Sequence, residues 1–131
     1  MRPEPHRVAL RLGLGEATIR RLQARGYLGR LDPATGKVEE FAMPSGPASL
    51  PYAMATDDQD RIWVAETGIQ PNALVAFDPK SRRWVASVPV GAKAPNTVRH
   101  MTFDKKTRQL WYGSDQNFIG GVKVPGPGVV P

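Results

Sequence analysis

Few residues of this chain have the types and spacing that chemistry requires, and the first group is an acidic loop. Asp57, Asp58 and Asp60 lie within four positions, as oxygen ligands of a hard cation would. The loop lacks the glycine and the distal glutamate of an EF-hand, so a polar turn between two strands is the favoured interpretation. Gly13 and Gly15 begin like a dinucleotide fingerprint, but Thr18 holds the place of the third glycine. We therefore predict no dinucleotide site.

Two further side chains are candidates for acid–base chemistry. His100 lies in a predicted strand, where an imidazole can act as a general base but is more often packed or hydrogen-bonded. Glu66 closes another predicted strand, and its carboxylate is either part of a site or a solvated group at the rim of a sheet. Residue types alone leave both pairs of alternatives open.

The elements that would position these side chains come from a repeat. The segment LGRLDP at 28–33 returns as LVAFDP at 74–79, 46 residues later, and IGGVKVP at 119–125 follows 45 residues after Leu74. The segment RIWV at 61–64 returns as QLWY at 109–112, 48 residues later. Periods in the forties made of short strands and turns are typical of β-propeller blades. We predict an all-β fold, a partial β-propeller of about two to two-and-a-half four-stranded blades over residues 27–125.

Turn residues divide the repeats into hairpins. The segment DPATG at 32–36 places Pro where φ is preset and Gly where φ is positive, so strands at 27–32 and 37–42 should pair. Ser81 and Arg82 replace Thr and Gly in the second copy, and we expect that turn to relax differently. Strands at 52–56 and 61–66 should flank the acidic loop.

Tryptophans mark the packing of the predicted blades. Trp63 and Trp111 lie in second strands, where a large ring can fill the wedge between adjacent sheets. Trp84 aligns with an outer strand, so we predict that it provides local cover.

The two ends differ in kind from the repeats. Residues 1–30 hold seven Arg and two Glu, a net charge of +5, while the other 101 residues hold eleven basic and ten acidic residues. Residues 1–26 are predicted to be an Arg-rich leader, disordered or non-native, with a docked helix over residues 16–25 as the alternative. Residues 126–131 form a predicted Pro/Gly tail.

Composition excludes several classes of function. The near-neutral repeats lack the basic stripe that nucleic-acid binding needs, so we expect no nucleic-acid partner. The chain has no cysteine, hence no disulfide or thiolate metal site, and no apolar run of eighteen residues that would cross a membrane. No signal-peptide pattern is present, and localisation stays open.

Three segments in order carry a resemblance to a known family. They are LGRLDPATGK at 28–37, PYAM at 51–54 and IWVAE at 62–66, and they resemble the virginiamycin B lyase (streptogramin lyase) family. The resemblance covers residues 27–125 and implies the C-terminal part of a seven-bladed propeller around a channel. It further implies a carbon–oxygen lyase, dependent on a divalent metal such as Mg²⁺, that opens cyclic streptogramin B antibiotics by elimination. The implied partners are the remaining propeller blades, or self-association through exposed blade faces, and a small-molecule ligand.

The same resemblance assigns roles to individual residues. Glu66 follows Trp63 at the family spacing and is the implied metal ligand. Tyr52 occupies the slot of the family's catalytic histidine, Arg99 falls at that slot in the next blade, and His100 lies one place further. These three are the catalytic candidates. Because side chains alternate across a strand, the shift should turn the imidazole to the opposite face.

The acid of the second strand is also displaced, since Ser114 aligns with Glu66 and Asp115 comes next. We therefore expect the isolated chain to be an inactive fragment of a lyase-like propeller. Two alternatives are a non-catalytic scaffold or ligand-binding module, and a lactonase-like metal-dependent hydrolase. The complete set of channel carboxylates and histidines would distinguish them.

Overall fold

The computed structural model describes residues 16–91 and 96–126, with side chains from Arg21 onward, and divides into two compact units, residues 1–51 and 52–131. The described residues form three antiparallel sheets and one α-helix, which confirms the all-β prediction. The elements are α1 (Glu16–Arg25), β1 (Tyr27–Leu31), β2 (Val38–Ala42), a 3₁₀ turn (Gly46–Ala48), β3 (Pro51–Thr56), β4 (Ile62–Glu66), β5 (Asn72–Asp78), β6 (Arg83–Val90), β7 (Val98–Asp104), β8 (Gln109–Ser114) and β9 (Ile119–Lys123).

The first unit contains α1 and the two-stranded sheet β1–β2 (sheet 1). Its buried apolar side chains come from the helix, from β1 and from the segment after β2: Leu22, Leu28 and Met43. Gly26 ends the helix with φ 72°, and a Cβ there would lie 2.3 Å from the carbonyl oxygen of Gly46. Only glycine satisfies both the conformation and the close approach.

Helix α1 spans residues 16–25, which is the range given above for the alternative of a helix in the Arg-rich segment. The prediction of a disordered or non-native leader falls mainly on residues 1–15, which lie outside the described residues. In the predicted tail, residues 127–131 also lie outside them. No helix in the described ranges is long and apolar enough to cross a membrane.

The second unit contains two sheets, β3-β4-β5-β6 (sheet 2) and β7-β8-β9 (sheet 3). In β3 and β8 buried residues alternate with exposed or half-buried ones, as the period of two requires, whereas β4 and β5 are buried along nearly their whole length. Both sheets contribute to a shared apolar core, whose fully buried members are Trp63, Ala65, Leu74, Ala76, Val98 and Leu110. The predicted wedge packing between adjacent sheets is thus observed between sheets 2 and 3.

Four hairpin turns, in both units, share one pattern of hydrogen bonding and backbone conformation. In each, an aspartate Oδ1 accepts the backbone N–H two residues on, and a residue of positive φ precedes the next strand. The pairs of aspartate and positive-φ residue are Asp32 and Gly36, Asp57 and Asp60, Asp78 and Arg82, and Asp104 and Arg108.

The turn at Arg82 corrects one expectation. We expected it to relax differently without glycine, but Arg82 adopts φ 59°, in the same left-handed region as the 73° of Gly36. The backbone N–H of Arg82 donates to the Asp78 carbonyl at 2.8 Å, and the Ser81 hydroxyl donates to the Asp78 carboxylate at 2.8 Å. These bonds hold a non-glycine residue in a conformation that costs about 1–2 kcal/mol.

The tryptophans divide into three cases. Trp63 is fully buried between sheets 2 and 3, as predicted. Trp84 lies in the outer strand β6 with its ring edge-to-face on Phe77 at 5.2 Å, which agrees with local cover. The prediction for Trp111 is wrong, because its side chain is 39% exposed. Its neighbour across the strands, Gly121, has no side chain, and the ring lies against that glycine.

Candidate functional site

The first strands of sheets 2 and 3 bring two of the predicted site residues together. Tyr52 lies in β3 and Arg99 in β7, and both side chains are exposed. The guanidinium carbon of Arg99 is 5.8 Å from the centroid of the Tyr52 ring, which is within the range of a cation–π contact. The residues that align in sequence across the repeat are therefore neighbours in space.

A β-bulge determines how Arg99 is presented. Val98 pairs with Ser114, but the next pair is His100 with Gly113, so Arg99 is an extra residue in β7. Bulges bend a strand and redirect side chains, and they are common beside functional sites. Strict alternation along β7 is therefore broken at Arg99, and its direction is set by its contacts.

Asp115 is within ion-pair distance of Arg99. Its Oδ1 accepts the backbone N–H of Thr97 at 2.8 Å, and its own N–H donates to the Thr97 carbonyl at 3.1 Å. With the carboxylate anchored, Asp115 Oδ2 lies 3.9 Å from Nη2 of Arg99. Both side chains are partly exposed, so the pair fixes geometry more than it adds stability.

His100 lies on a different part of sheet 3. It pairs with Gly113, and by alternation it shares a face with Thr102 and Trp111. Arg99, by contrast, contacts Tyr52 of sheet 2. The structure thus brings Tyr52 and Arg99 together and leaves the imidazole with the exposed face of sheet 3.

Glu66 is fully buried at the end of β4, where it pairs with Ala73. The alternative of a solvated carboxylate at a rim is therefore wrong. The adjacent Asn72 is also fully buried, and it links the two sheets of this unit. Its Nδ2 donates to the Ile69 carbonyl at 2.8 Å, and its Oδ1 accepts the Val98 N–H at 2.9 Å.

The acidic loop is a polar turn, the interpretation that the sequence favoured. Asp57 is buried and accepts from the N–H of Arg61 at 3.1 Å, from its Nε at 2.7 Å and from the indole N–H of Trp63 at 2.8 Å. Nη2 of Arg61 then donates to the carbonyl of Pro125 at 2.7 Å. These bonds join the turn of sheet 2 to the segment that leaves sheet 3.

Asp58 is occupied by a second arginine. Arg108 binds it with two parallel bonds, Nε to Oδ2 at 2.6 Å and Nη2 to Oδ1 at 2.7 Å. The hydrogen bond from Arg108 holds the pKa of Asp58 below its ordinary value. Both aspartates therefore serve the protein's own arginines, which is unlike the chemistry of a cation loop.

A magnesium site does not assemble from the described residues alone. Within residues 16–91 and 96–126, no three His, Cys, Asp or Glu side chains come together as a metal-binding group. Hard cations take six or more oxygen ligands, of which Glu66 would be one. A metal held by Glu66 would need further ligands from outside these residues.

Similar solved structures identify the fold. The chain matches a selenomethionine-substituted virginiamycin B lyase from Staphylococcus aureus with TM-score 0.50 and 18% identity, over 78% of this chain and 36% of that one. A catalytically inactive variant of that lyase with quinupristin gives TM-score 0.55 and 17% identity, over 80% and 36%. A streptogramin B lyase structure gives 0.52 and 15%, over 78% and 35%. The fold is that of a partial β-propeller.

At 15–18% sequence identity, the likeness to these lyases shows the fold only. The chain spans about 36% of the length of the lyases that it matches. No family model matches the sequence, and no curated protein does. In a propeller, four-stranded blades surround a central channel, and sheets 2 and 3 correspond to adjacent blades of that kind.

Sequence reasoning missed the bulge of this propeller segment and the part played by Asp115. The signal was present in β7, where the apolar Val98 and Met101 are three residues apart with two polar residues between them. A regular strand places same-face residues two apart, so this spacing indicates one inserted residue.

Proposed function

We propose that this chain is a segment of a streptogramin-lyase-like propeller, whose Tyr52 and Arg99 contribute to the ligand-binding wall of the channel. The observation that carries the proposal is the contact between these side chains, on the first strands of adjacent blades, in a fold like that of the lyases. A cyclic depsipeptide presents ester and amide carbonyls, which a guanidinium can bind as a hydrogen-bond donor. The Tyr52 ring supplies apolar contact beside it.

The parent activity that we propose is metal-dependent carbon–oxygen elimination, and the 131-residue chain alone lacks it. Elimination needs a base and an electrophilic group held together in one geometry. Here the candidate base His100 and the candidate ligand Glu66 lie on different strands and sheets, one exposed and the other fully buried. Remaining blades of a propeller would have to supply the rest of the site.

A non-catalytic ligand-binding module is the second candidate. It is favoured by the contact between Tyr52 and Arg99, an aromatic and a cationic side chain that could bind a ligand without a metal. The described residues contain no group of three metal-binding side chains. A lactonase-like hydrolase would require a metal site too, and the described residues do not assemble one by themselves.

Incubation of the chain with quinupristin, with and without magnesium chloride, tests the catalytic part. Mass spectrometry separates the chemistries, since elimination leaves the mass unchanged while producing a linear isomer, and hydrolysis adds one water. We expect neither product. Magnesium-dependent linearisation that is lost in Glu66→Gln would overturn the proposal of an inactive segment.

Nuclear magnetic resonance titration with quinupristin tests the binding part. We expect shifts centred on Tyr52 and Arg99, weakened at least about tenfold in affinity by Arg99→Ala. Arg83→Ala, in the outer strand β6, is the matched control and should bind like the unaltered chain. Unchanged resonances at Tyr52 and Arg99 under saturating quinupristin would contradict the proposed wall.

A further inference from the structure

A charge and its countercharge occur together at the end of sheet 3 that carries the β-bulge. Arg99 is the extra residue of β7, and Asp115 directly follows Ser114, the last residue of β8. In sheet 2 the residues at the corresponding places of the repeat are both uncharged, namely Tyr52, 47 residues before Arg99, and Thr67, 48 residues before Asp115. The pair of charges is therefore particular to this blade and is not a property of the repeat.

The position of the Asp115 carboxylate is set by the backbone and does not depend on Arg99. Oδ1 of Asp115 accepts the N–H of Thr97 at 2.8 Å, and the N–H of Asp115 donates to the Thr97 carbonyl at 3.1 Å. Thr97 lies two residues before the bulge. The negative charge therefore stays beside the bulge whichever rotamer the Arg99 side chain adopts.

A guanidinium with a carboxylate neighbour prefers different ligands from a guanidinium without one. Without a neighbour, it binds a carboxylate more strongly than a neutral carbonyl, because two parallel charge-assisted bonds can form. Asp115 Oδ2, 3.9 Å from Nη2 of Arg99, repels a second carboxylate but has little effect on a neutral carbonyl. The side chains of Arg99 and Asp115 are 48% and 31% exposed, so water weakens this repulsion without removing it.

We propose that Asp115 is a specificity-determining residue of the Tyr52–Arg99 wall, where it favours neutral ester and amide carbonyls over carboxylates. This inference rests on the proposed function, and it names the class of ligand that the wall accepts. Specificity is a difference of affinities, and a like charge set against the unwanted ligand produces one.

The proposed elimination gives this selectivity a consequence. In elimination across an ester, a base takes a proton from one carbon, a double bond forms to the neighbouring carbon, and the carbon–oxygen bond breaks with its electron pair on the leaving carboxylate. The linear product therefore has a carboxylate where the substrate had an ester. A wall that disfavours carboxylates retains the substrate and releases the product.

Nuclear magnetic resonance titrations that follow Tyr52 and Arg99 test the proposal with two probes, N-acetylphenylalanine methyl ester and N-acetylphenylalanine, a carboxylate at neutral pH. We expect the unaltered chain to bind the ester at least as tightly as the carboxylate. Asp115→Asn should tighten the carboxylate about threefold or more and change the ester by less than about twofold. The asparagine Oδ1 still accepts the Thr97 N–H, so the variant removes the charge and keeps the turn. The gain should shrink at about 0.5 M sodium chloride.

Asp60→Asn is the matched control. It removes the same charge beyond the opposite end of β3 from Tyr52, and its left-handed backbone at φ 58° suits asparagine. Both affinities should stay as in the unaltered chain. Arg99→Gln is an independent second variant, and it should weaken the carboxylate more than the ester, because Asp115 then acts without a countercharge.

The outcomes separate the role of Asp115 from the existence of the wall. If Asp115→Asn leaves the ratio of the two affinities unchanged, if Asp60→Asn produces the same gain, or if salt does not reduce the gain, the role of Asp115 is overturned. In those cases, shifts at Tyr52 and Arg99 still support the wall. Absence of shifts at both residues with either probe would overturn the wall itself, and this inference with it.

Discussion

Trp63 and Trp111 allow a buried and a partly exposed copy of one side chain to be compared inside one protein. Truncation of a buried tryptophan to alanine costs about 3–5 kcal/mol of unfolding free energy, and Trp63 is fully buried. Trp111 is 39% exposed, so about six tenths of that loss applies, or about 2–3 kcal/mol. The indole N–H of Trp63 also donates to the Asp57 carboxylate at 2.8 Å, so the loss of this hydrogen bond adds to the difference that burial alone gives. We expect Trp63→Ala to cost about 1–2 kcal/mol more than Trp111→Ala.

Urea unfolding followed by far-ultraviolet circular dichroism measures this difference, at a protein concentration where each variant sediments as a monomer. The slopes of unfolding free energy against urea should agree, so that the midpoints report stability. Trp84→Ala is a control for loss of an outer ring, and should cost less than Trp63→Ala. Equal costs for Trp63→Ala and Trp111→Ala would refute the reasoning, because they would mean that burial between the sheets does not distinguish the two rings.

Two further predictions concern the turns. Arg82→Gly should raise the unfolding free energy by about 0.5–1 kcal/mol, because glycine adopts φ 59° without strain. Arg108→Gly should be less stable than Arg82→Gly, because the same relief at φ 53° is offset by loss of the bonds to Asp58 and to the Pro125 carbonyl. Urea melts that rank the two variants the other way would contradict this. The Thr107 hydroxyl is the main cause that holds the pKa of Asp104 below its ordinary 3.8. The carboxylate's contribution to stability is therefore present above the unfolded pKa and is lost as pH falls through the folded one. Thr107→Val should be less stable than the unaltered chain at neutral pH, and this difference should shrink as the pH falls through the folded-state pKa of Asp104. A difference that persists unchanged in acid would exclude this origin.

The sequence predicted the features that depend on local chemistry. Pro and Gly at 32–36 marked the first hairpin, and the Trp63 segment marked a second strand, because turn residues and alternation act over a few positions. The acidic loop was also interpretable, since it lacked the spacing of a cation loop. Arg82 escaped this reasoning because its left-handed conformation is maintained by hydrogen bonds to Asp78, which residue preference does not reveal.

Features that depend on strand register, or on which residues pack over a side chain, were not predictable from local sequence. The bulge at Arg99 requires knowledge of how β7 pairs with β8, and the burial of Glu66 depends on what packs over the end of β4. Trp111 has the same local sequence setting as Trp63, yet its exposure depends on the surface above it. Of the candidate site, the sequence predicted the equivalence of Tyr52 and Arg99, but not Asp115 as the anchor of Arg99.

The bond from Arg61 to Pro125 joins residues 64 apart in the chain, and it determines how this unit can come apart. Arg61 is buried, and its Nε is already bonded to the buried Asp57 beneath Trp63. If the segment after β9 separated alone, the guanidinium would lose a carbonyl partner at a site with little access to water. Separation of that segment is therefore opposed by the cost of leaving the buried guanidinium of Arg61, in the turn of sheet 2, without this hydrogen bond. Amide protons of β4 and β9 should accordingly exchange with solvent in one cooperative opening, rather than strand by strand from the end.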